Sequence, residues 1–202
     1  MSLTEVELLI KTSINYSFDK GELRPAIFLD RDGTINDVGY GYINGLSDFH
    51  FYDYAFEALD ILKGHAKNFI IVTNQSGLST GRVSIDPLNE IHQFVTEEFE
   101  KRDLPLRKIY FADDYNEGFN AIRKPGIGMF LQAKEDFNVD LKNSVMIGDS
   151  IVDVQAGERA EMKTIFLLSG YGKSHLEDVK KECKPNLIAN DLLHAAKEIE
   201  LI

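Results

Sequence analysis

The sequence predicts an α/β protein with a doubly wound, Rossmann-like parallel sheet. From Ala26 onward, short apolar segments alternate with segments in which apolar residues recur at helical spacing. This alternation is typical of repeated βα units, whose strands form parallel sheets. A length of 202 residues fits one domain with a full hydrophobic core. We therefore expect a single domain over residues 25–202, preceded by an N-terminal extension over residues 1–24.

Five apolar segments are predicted strands, at residues 26–29, 69–73, 108–111, 144–147 and 164–167. Helical spacing of apolar residues predicts helices over residues 88–99 and 129–137. Asp86 and Pro87 predict the start of the first of these helices, with the aspartate as N-cap and the proline at the first helical position. In the N-terminal extension, residues 4–11 have the pattern of a short amphipathic helix.

The charge and the cysteine content narrow the possible partners and compartments. The chain has 33 acidic and 22 basic residues, and its net charge of -11 repels nucleic acids and anionic membranes. A small anionic partner is still compatible, because a divalent ion and a few cations can reverse the potential inside one pocket. The single cysteine, Cys183, cannot form an internal disulfide, and no apolar run approaches the ~20 residues that cross a bilayer. We expect a cytoplasmic protein, and the sequence leaves its oligomeric state open.

Polar residues follow three of the predicted strands. Asp30 and Asp32 come after the first strand, and residues 73–76 end the second. Asp149 follows the fourth strand, with Asp153 one helical turn later. Parallel α/β sheets bind ligands outside the carboxyl ends of their strands, where the strand order reverses. We therefore expect these residues to meet in one site.

Two carboxylates two residues apart can divide the work of phosphate-ester hydrolysis. Gly33 lets the chain turn, so Asp30 and Asp32 need not lie on opposite faces of a strand. One carboxylate can attack and form an acyl phosphate, while the other protonates the leaving alkoxide and later activates water. Mg²⁺ would be held by Asp30, the carbonyl of Asp32 and Asp149. Alternatively, Asp149 and Asp153 are a helix N-cap and a first-turn acid.

The remaining candidate groups are neutral or basic. Thr73 and Asn74 offer a hydroxyl and an amide to phosphoryl oxygens, and backbone N–H groups around Gly77 add to them. The segment Arg123-Lys124-Pro125 precedes a helix predicted to begin near Gly126, where the lysine could neutralise the attacking carboxylate and the phosphoryl group. Each segment also has a purely structural interpretation. Residues 73–77 could be an ordinary loop, and Arg123-Lys124 could be an exposed basic pair before a helix.

Together these segments resemble the four motifs of the haloacid dehalogenase (HAD) superfamily. The motifs occur in order as Asp30-x-Asp32-Gly33-Thr34, Thr73, Lys124 and Gly148-Asp149-x-x-x-Asp153. The resemblance implies Asp30 as the nucleophile and Asp32 as the general acid and base. It also implies Thr73 and Lys124 as phosphoryl-binding residues and Asp149 as a Mg²⁺ ligand, with Asp153 supporting the metal site.

Longer matches over roughly residues 25–172 resemble one group in this superfamily, the heptose bisphosphate and histidinol-phosphate phosphatases. They are Asp30 to Asn36 (DRDGTIN), Gly41-Tyr42, Phe49-His50-Phe51, Thr73 to Gly77 (TNQSG) and Arg123-Lys124-Pro125. This resemblance implies a small phosphorylated metabolite as partner, with substrate contacts from Gly41, Tyr42, Thr73, Asn74, Gln75, Ser76, Arg123 and Lys124. The best match is removal of the 7-phosphate from a heptose 1,7-bisphosphate; histidinol phosphate and other sugar or nucleotide phosphates are the alternatives.

One segment departs from that group. Its members usually hold a structural zinc with three Cys and one His before Arg-Lys-Pro, whereas residues 111–122 contain neither residue type. We therefore expect Mg²⁺ but no zinc. The loop must fold in another way, and we expect it to pack around Tyr115 and Phe119.

The spacing of the motifs also limits the architecture. A helix predicted near residues 54–64 and another within residues 77–108 leave no room for a large cap domain. The loops at residues 38–49 and 113–122 would then have to shape the site.

Two hypotheses in which the protein is not an enzyme are alternatives to the phosphatase hypothesis. A receiver-like signalling module also phosphorylates an aspartate on a doubly wound sheet. Asp32 argues against it, because a second carboxyl for proton transfer serves turnover and is unnecessary in a stable phospho-switch. A degenerate phosphatase fold kept for binding is the other reading. Every motif residue needed for catalysis is present, which favours an enzyme.

Overall fold

The computed structural model describes residues 22–39 and 41–201. Within them, six parallel strands form one sheet in the order β3-β2-β1-β4-β5-β6. The strands are β1 Ile27–Leu29, β2 Phe69–Asn74, β3 Leu106–Ala112, β4 Val145–Gly148, β5 Lys163–Leu167 and β6 Leu187–Ala189. The α-helices are α1 Ala55–Leu62, α2 Ile85–Glu100, α3 Gly128–Phe137, α4 Ile151–Arg159, α5 Gly172–Glu182 and α6 Leu192–Glu198. This order confirms the predicted doubly wound α/β fold.

Helices cover both faces of the sheet. Ile27 and Leu29 of β1 pack in a core cluster with residues of α1, α2 and α6. Phe28, between them, points to the other face and packs with residues of α3 and α4. Its ring meets that of Phe130 edge to face, with 5.0 Å between centroids. Burying each such side chain contributes about 1.5–3 kcal/mol, so the near-continuous apolar strands follow from a sheet covered on both faces.

The strand order reverses between β1 and β4. These strands pair in parallel, from Ile27 with Val145 to Leu29 with Ile147. After β1 the chain continues to β2 on one side of the sheet, and after β4 it continues to β5 on the other side. In a doubly wound fold this divergence leaves a crevice at the carboxyl ends of the two strands. Asp30 directly follows β1 and Asp149 directly follows β4. The two carboxylates therefore lie side by side at this crevice.

Two helix starts differ from the predicted ones. Helix α2 begins at Ile85, after Ser84 as N-cap, so Asp86 is not the cap. Pro87 still fits inside the first turn, because the first four N–H groups of a helix have no partner within it. Helix α3 begins at Gly128 rather than near Gly126. Strand β6 was not predicted. It lies at the edge of the sheet and its Ile188 is 37% exposed, so it lacks the fully buried apolar run that marks β1.

The described residues contain no separate cap domain. The segment between Asp32 and Thr73 holds the short 3₁₀ helix Leu46–Asp48 and α1, and the segment between Gly77 and β3 holds α2. Arg24 exchanges backbone hydrogen bonds with the segment after α3, donating to Asn138 and accepting from Asp140. The domain boundary at residue 25 stays a prediction, and the helix predicted over residues 4–11 lies outside the described residues. None of the described helices combines the length and apolarity needed to cross a membrane.

Candidate active site

A cleft of about 380 Å³ opens at the carboxyl ends of β1, β2 and β4. Every predicted site residue lines it: Asp30, Asp32, Gly41, Tyr42, Thr73, Asn74, Gln75, Ser76, Arg123, Lys124, Asp149 and Asp153. The structure thus brings together residues that span more than half of the chain. Val38 and Ile43 also line the cleft, in agreement with the expectation that the loop over residues 38–49 shapes the site. Ser150, Val152 and Tyr171 line it as well, and they were not predicted as site residues. The chemical roles of the predicted residues stay predictions.

Three carboxylates and one lysine form the floor of the cleft. Asp30, Asp149 and Asp153 each offer one carboxylate oxygen, and these atoms lie within 4.8 Å of one another. Lys124 Nζ donates to Asp30 Oδ1 at 2.6 Å and pairs with Asp153 Oδ1 at 2.6 Å. It also donates to the carbonyl of Val72 at 2.6 Å. Lys124 thus has two hydrogen-bond acceptors, Asp30 and the Val72 carbonyl, and Asp153 is its second ion-pair partner.

Asp149 is held between two glycines. A Cβ atom on Gly33 would lie 2.2 Å from Asp149 Oδ2, and one on Gly170 would lie 2.1 Å from the same oxygen. Both glycines also have positive φ angles, of 89° and 50°, which other residues rarely adopt. The N–H of Tyr171 donates to this oxygen at 2.6 Å. Close backbone contact thus fixes the direction of the Asp149 side chain.

Asp153 serves both its helix and the site. Ser150 is the N-cap of α4, and its N–H donates to Asp153 Oδ2 at 3.0 Å. The other oxygen of Asp153 pairs with Lys124. The structural interpretation of these two aspartates is therefore confirmed for Asp153, which is a first-turn acid. It is wrong for Asp149, because Ser150 is the N-cap.

The electrostatics of the floor are those of crowded carboxylates. Burial, together with the charges of Asp153 and Asp32, raises the pKa of Asp30 to about 7, although Lys124 opposes this shift. Burial and the charges of Asp30 and Asp153 raise the pKa of Asp149 to about 8. One ammonium group does not balance three buried carboxylates. The cluster therefore fits a hard divalent cation, which takes oxygen ligands and relieves this repulsion.

Asp32 has a different environment. Arg31 binds both of its oxygens, from Nε at 3.0 Å and from Nη2 at 2.8 Å. Asn36 Nδ2 and Gln75 Nε2 each donate to it at 2.9 Å. Burial alone would raise the pKa of Asp32, but the charge of Arg31 and these hydrogen bonds lower it below its usual value. Asp32 is thus held as a carboxylate, whereas the pKa of Asp30 is raised.

The segment after β2 organises the neighbouring groups. Gln75 Nε2 donates to Thr73 Oγ1 at 2.9 Å as well as to Asp32. Asn74 forms a reciprocal pair with the backbone of Lys124: its Nδ2 donates to the carbonyl at 2.9 Å, and the N–H donates to its Oδ1 at 3.0 Å. Asn74 therefore positions the segment that carries Lys124. Its predicted contact with substrate stays a prediction.

Tyr42 forms one side of the rim of the cleft. Its ring lies against Gly77, where an added Cβ would come within 2.8 Å of Tyr42 Cδ1. Arg82 lies beside the ring, with Cζ 5.4 Å from the ring centroid and Nη1 3.4 Å from the tyrosine oxygen. The side chain of Tyr42 is nevertheless 41% exposed. This part of the rim rests on few contacts.

The loop over residues 111–122 does not pack in the expected way. Tyr115 and Phe119 are 52% and 57% exposed, so the expectation of packing around them is wrong. Backbone hydrogen bonds hold the loop instead: Ile127 N–H donates to the carbonyl of Phe119, and Gly128 N–H donates to that of Ala121, both at 2.9 Å. The start of α3 thus serves as the anchor of the loop.

Arg123 lies where this loop meets the cleft. Its guanidinium carbon is 5.0 Å from the ring centroid of Tyr115. Its Nη1 is buried and has no hydrogen-bond partner among the described residues. The next residue, Lys124, belongs to the floor, so Arg123 is well placed to bind a group that enters the cleft.

Comparisons with known proteins agree with this arrangement. The family model for HAD-hydrolase-like proteins matches residues 121–195. The D-glycero-beta-D-manno-heptose-1,7-bisphosphate 7-phosphatase of Pasteurella multocida is 37% identical over 166 residues, which cover 79% of this chain and 89% of that protein. The D-glycero-alpha-D-manno-heptose-1,7-bisphosphate 7-phosphatase of Campylobacter jejuni is 38% identical over 144 residues, with coverage of 71% and 82%.

A solved structure has the same fold. The D,D-heptose 1,7-bisphosphate phosphatase from B. bronchiseptica, complexed with magnesium and phosphate, has a TM-score of 0.77 at 23% identity and covers 88% of this chain and 98% of its own. The fold and the sequence relatives show that this protein is a phosphatase of the HAD superfamily. Within that superfamily, the chain belongs to the family of D-glycero-D-manno-heptose-1,7-bisphosphate 7-phosphatases.

Proposed function

We propose that this enzyme removes the 7-phosphate of D-glycero-D-manno-heptose 1,7-bisphosphate in a Mg²⁺-dependent reaction, through an aspartyl phosphate on Asp30. The observation that carries the chemistry is the cleft floor, where Asp30 lies beside Lys124 and two further buried carboxylates. The substrate is inferred from relatives named for heptose bisphosphate, which share 37% and 38% identity over most of their lengths.

The first step transfers the phosphoryl group to Asp30. A carboxylate oxygen of Asp30 forms a bond to phosphorus, the bond from phosphorus to the sugar oxygen breaks, and Asp32 gives a proton to that oxygen. Asp32 must therefore be protonated when the reaction begins. The negative charge of a bound phosphate would favour this, because a nearby like charge disfavours the carboxylate form. Lys124 neutralises the charge around the transferred group.

The second step returns the enzyme to its starting state. Asp32, now a carboxylate, takes a proton from water while the water oxygen forms a bond to phosphorus. The bond between phosphorus and Asp30 breaks, and inorganic phosphate leaves. The hydrogen bonds from Arg31, Asn36 and Gln75 suit this step, because they stabilise the charged form that accepts the proton.

Asp30, Asp149 and the carbonyl of Asp32 would hold Mg²⁺, and Asp153 would support the site through Lys124. The ion would supply positive charge to phosphoryl oxygens in this acidic site. We expect a chelator to abolish activity and Mg²⁺ to restore it. Because residues 111–122 lack Cys and His, we also expect no stoichiometric zinc. Elemental analysis that finds one tightly bound zinc per chain would contradict this expectation.

A substrate panel tests the assignment. Relatives named for the alpha and the beta anomer are almost equally similar to this chain, so the panel includes both anomers of heptose 1,7-bisphosphate. Histidinol phosphate, a hexose bisphosphate and a nucleotide monophosphate complete it. We expect the highest kcat/KM for one heptose anomer, with loss of the C7 phosphorus signal in ³¹P NMR. A tenfold or greater preference for histidinol phosphate or a nucleotide would overturn the substrate assignment and leave the aspartyl-phosphate mechanism intact.

The size of the cleft agrees with a small phosphorylated sugar as the partner. A volume of about 380 Å³ lies within the range of roughly 300–1,000 Å³ that is usual for small-molecule sites. The cytoplasmic location and the exclusion of nucleic acids and membranes as partners stay predictions from the sequence.

A further inference from the structure

Arg31 is a charged side chain in the protein interior. It is only 1% exposed, and it lies in sequence between the proposed nucleophile Asp30 and the proposed acid and base Asp32. A buried guanidinium needs partners for its donors, since an unpaired buried charge is costly. The partners of Arg31 therefore indicate what the protein gains from burying it.

The donors of Arg31 are divided between the cleft and helix α2. Nε and Nη2 bind the two oxygens of Asp32 at 3.0 and 2.8 Å. Nη1 lies 3.1 Å from Nε2 of His92, which is on α2. Because the guanidinium group is planar and rigid, a rotation that breaks the contact with His92 also moves the two nitrogens that bind Asp32.

This contact fixes the proton of His92. Arginine can only donate, so Nε2 of His92 must accept and the neutral ring carries its hydrogen on Nδ1. Burial and the charge of Arg31 lower the pKa of His92 to about 3, against an opposing effect of Asp32. The ring of Phe111 on β3 lies 5.5 Å from the His92 ring, centroid to centroid, and limits its movement. His92 is thus a neutral acceptor with a constrained orientation.

We propose that His92 is a positioning residue for proton transfer by Asp32. It holds Arg31 in one orientation, and Arg31 holds the Asp32 carboxyl group toward the leaving oxygen. His92 is not among the residues that line the cleft, so it acts through Arg31. The inference rests on the proposed function, because it requires Asp32 to be the acid of the first step.

The leaving group of the substrate separates this role from a purely structural one. In the first step the Asp32 proton passes to the oxygen that leaves phosphorus. An alkoxide leaves slowly without that proton, whereas p-nitrophenolate is stable enough to leave without it. The value of kcat/KM reports the steps up to departure of the leaving group for both substrates. Misplacement of Asp32 must therefore slow an alkyl phosphate more than p-nitrophenyl phosphate.

The test compares His92→Phe with His92→Gln in the Mg²⁺-loaded enzyme. Phenylalanine fills the space without an acceptor, and glutamine can place its Oε1 near the position of Nε2. We expect His92→Phe to lower kcat/KM for heptose 1,7-bisphosphate roughly tenfold more than for p-nitrophenyl phosphate, a part of the ~10²–10⁴-fold that acid catalysis contributes. His92→Gln should keep the wild-type ratio between the two substrates. Equal losses for both substrates, or a glutamine variant that behaves like phenylalanine, would overturn the proposal.

Two matched controls make the outcome specific. Leu88→Ala removes a fully buried apolar side chain from the same helix and keeps every hydrogen-bonding group of Arg31 and His92, so it should leave the substrate ratio unchanged. Asp32→Asn should show the same preference for the aryl phosphate on a larger scale. If Asp32→Asn slows both substrates equally, the proposed role of Asp32 is wrong and the inference about His92 falls with it.

A measurement on the wild-type protein covers the case in which His92→Phe does not fold. ¹⁵N NMR of the imidazole nitrogens identifies the tautomer and charge of His92 directly. We expect a neutral ring with hydrogen on Nδ1 from pH 5.5 to pH 8. A protonated ring, or hydrogen on Nε2, would show that His92 does not accept from Arg31 and would exclude the proposed role.

Discussion

At the floor of the cleft, Asp30, Lys124 and Asp153 are almost fully buried and are joined by ion pairs of 2.6 Å. At the rim, Tyr42 is 41% exposed and has few partners, and Tyr115, which lies beside Arg123 but does not line the cleft, is 52% exposed. The floor is thus organised before any ligand binds, whereas the rim can adapt to the group that enters. From this difference we expect the phosphoryl chemistry to depend on the floor and the choice of substrate to depend on the rim. Substitutions in the floor should stop turnover, and substitutions in the rim should change which substrate is preferred.

The largest effect is expected from Asp30→Asn at the floor. The amide cannot form the acyl phosphate, so turnover of every phosphate ester should be lost. The fold should persist, because the amide is close in shape to the carboxyl group and one of the crowded charges is removed. Steady-state kinetics with Mg²⁺ and thermal unfolding of the same preparation check both parts. Near wild-type kcat would show that another group is the nucleophile.

A second effect at the floor is a pH dependence of stability without metal. The folded protein raises the pKa of Asp30 to about 7 and that of Asp149 to about 8, from 3.8. The folded state therefore binds more protons than the unfolded state between these values, and the free energy of unfolding should fall as the pH rises from about 4 to about 8. Thermal unfolding in the presence of a chelator checks this. For a domain of this size, each kcal/mol of lost stability lowers the melting temperature by about 2–4 °C.

Two variants identify the source of that pH dependence. Asp149→Asn should reduce the fall in melting temperature between pH 6 and pH 8.5. Asp178→Asn, which changes an exposed carboxylate on α5, should leave it as in the wild type. If the melting temperature of the metal-free wild-type protein rises over this range, the floor is not the crowded acidic cluster described above.

A smaller and more selective effect is expected from Arg123→Ala at the rim. Its buried Nη1 lacks a partner among the described residues, so a phosphate or hydroxyl group of the substrate can complete its hydrogen bonds. We expect kcat/KM for heptose 1,7-bisphosphate to fall. The loss of transition-state stabilisation should be ~1.5–3 kcal/mol, the range of one charge-assisted hydrogen bond. The loss for p-nitrophenyl phosphate should be smaller. Equal losses for both would place Arg123 with the floor rather than with the rim.

The smallest effect is expected from Arg82→Ala, which removes the cation beside Tyr42. An exposed contact of this kind contributes about 0.5–1 kcal/mol, so KM for the sugar bisphosphate should rise about two- to fivefold at constant kcat. Arg102→Ala is a matched control, because Arg102 lies over Phe56, with 3.8 Å from Cζ to the ring centroid, and neither residue lines the cleft. A change in kcat rather than KM would mean that Tyr42 affects the chemistry itself.

The sequence predicted the floor better than the rim for a physical reason. Asp30 and Asp149 follow apolar strands whose order in a parallel sheet brings their carboxyl ends together, so local pattern and topology agree. The contacts of Tyr115 depend on how an irregular loop lies against α3, and no periodicity records this. Ser84 and Asp86 are equally suitable residue types for a helix N-cap, so the sequence alone does not show which of them begins the helix. The part played by His92 had no sequence signal, since a lone histidine on a helix rarely marks a site.

Three oxygens surround the ammonium group of Lys124, and they affect how a ligand can reach it. Asp30 and the carbonyl of Val72 accept hydrogen bonds from Lys124, and Asp153 pairs with it at 2.6 Å, so little space around its ammonium group is left for another oxygen. An incoming phosphoryl oxygen can reach this group only by displacing one of those oxygens. We therefore expect Lys124 to exchange oxygen partners when phosphate enters the cleft and again when phosphate leaves it.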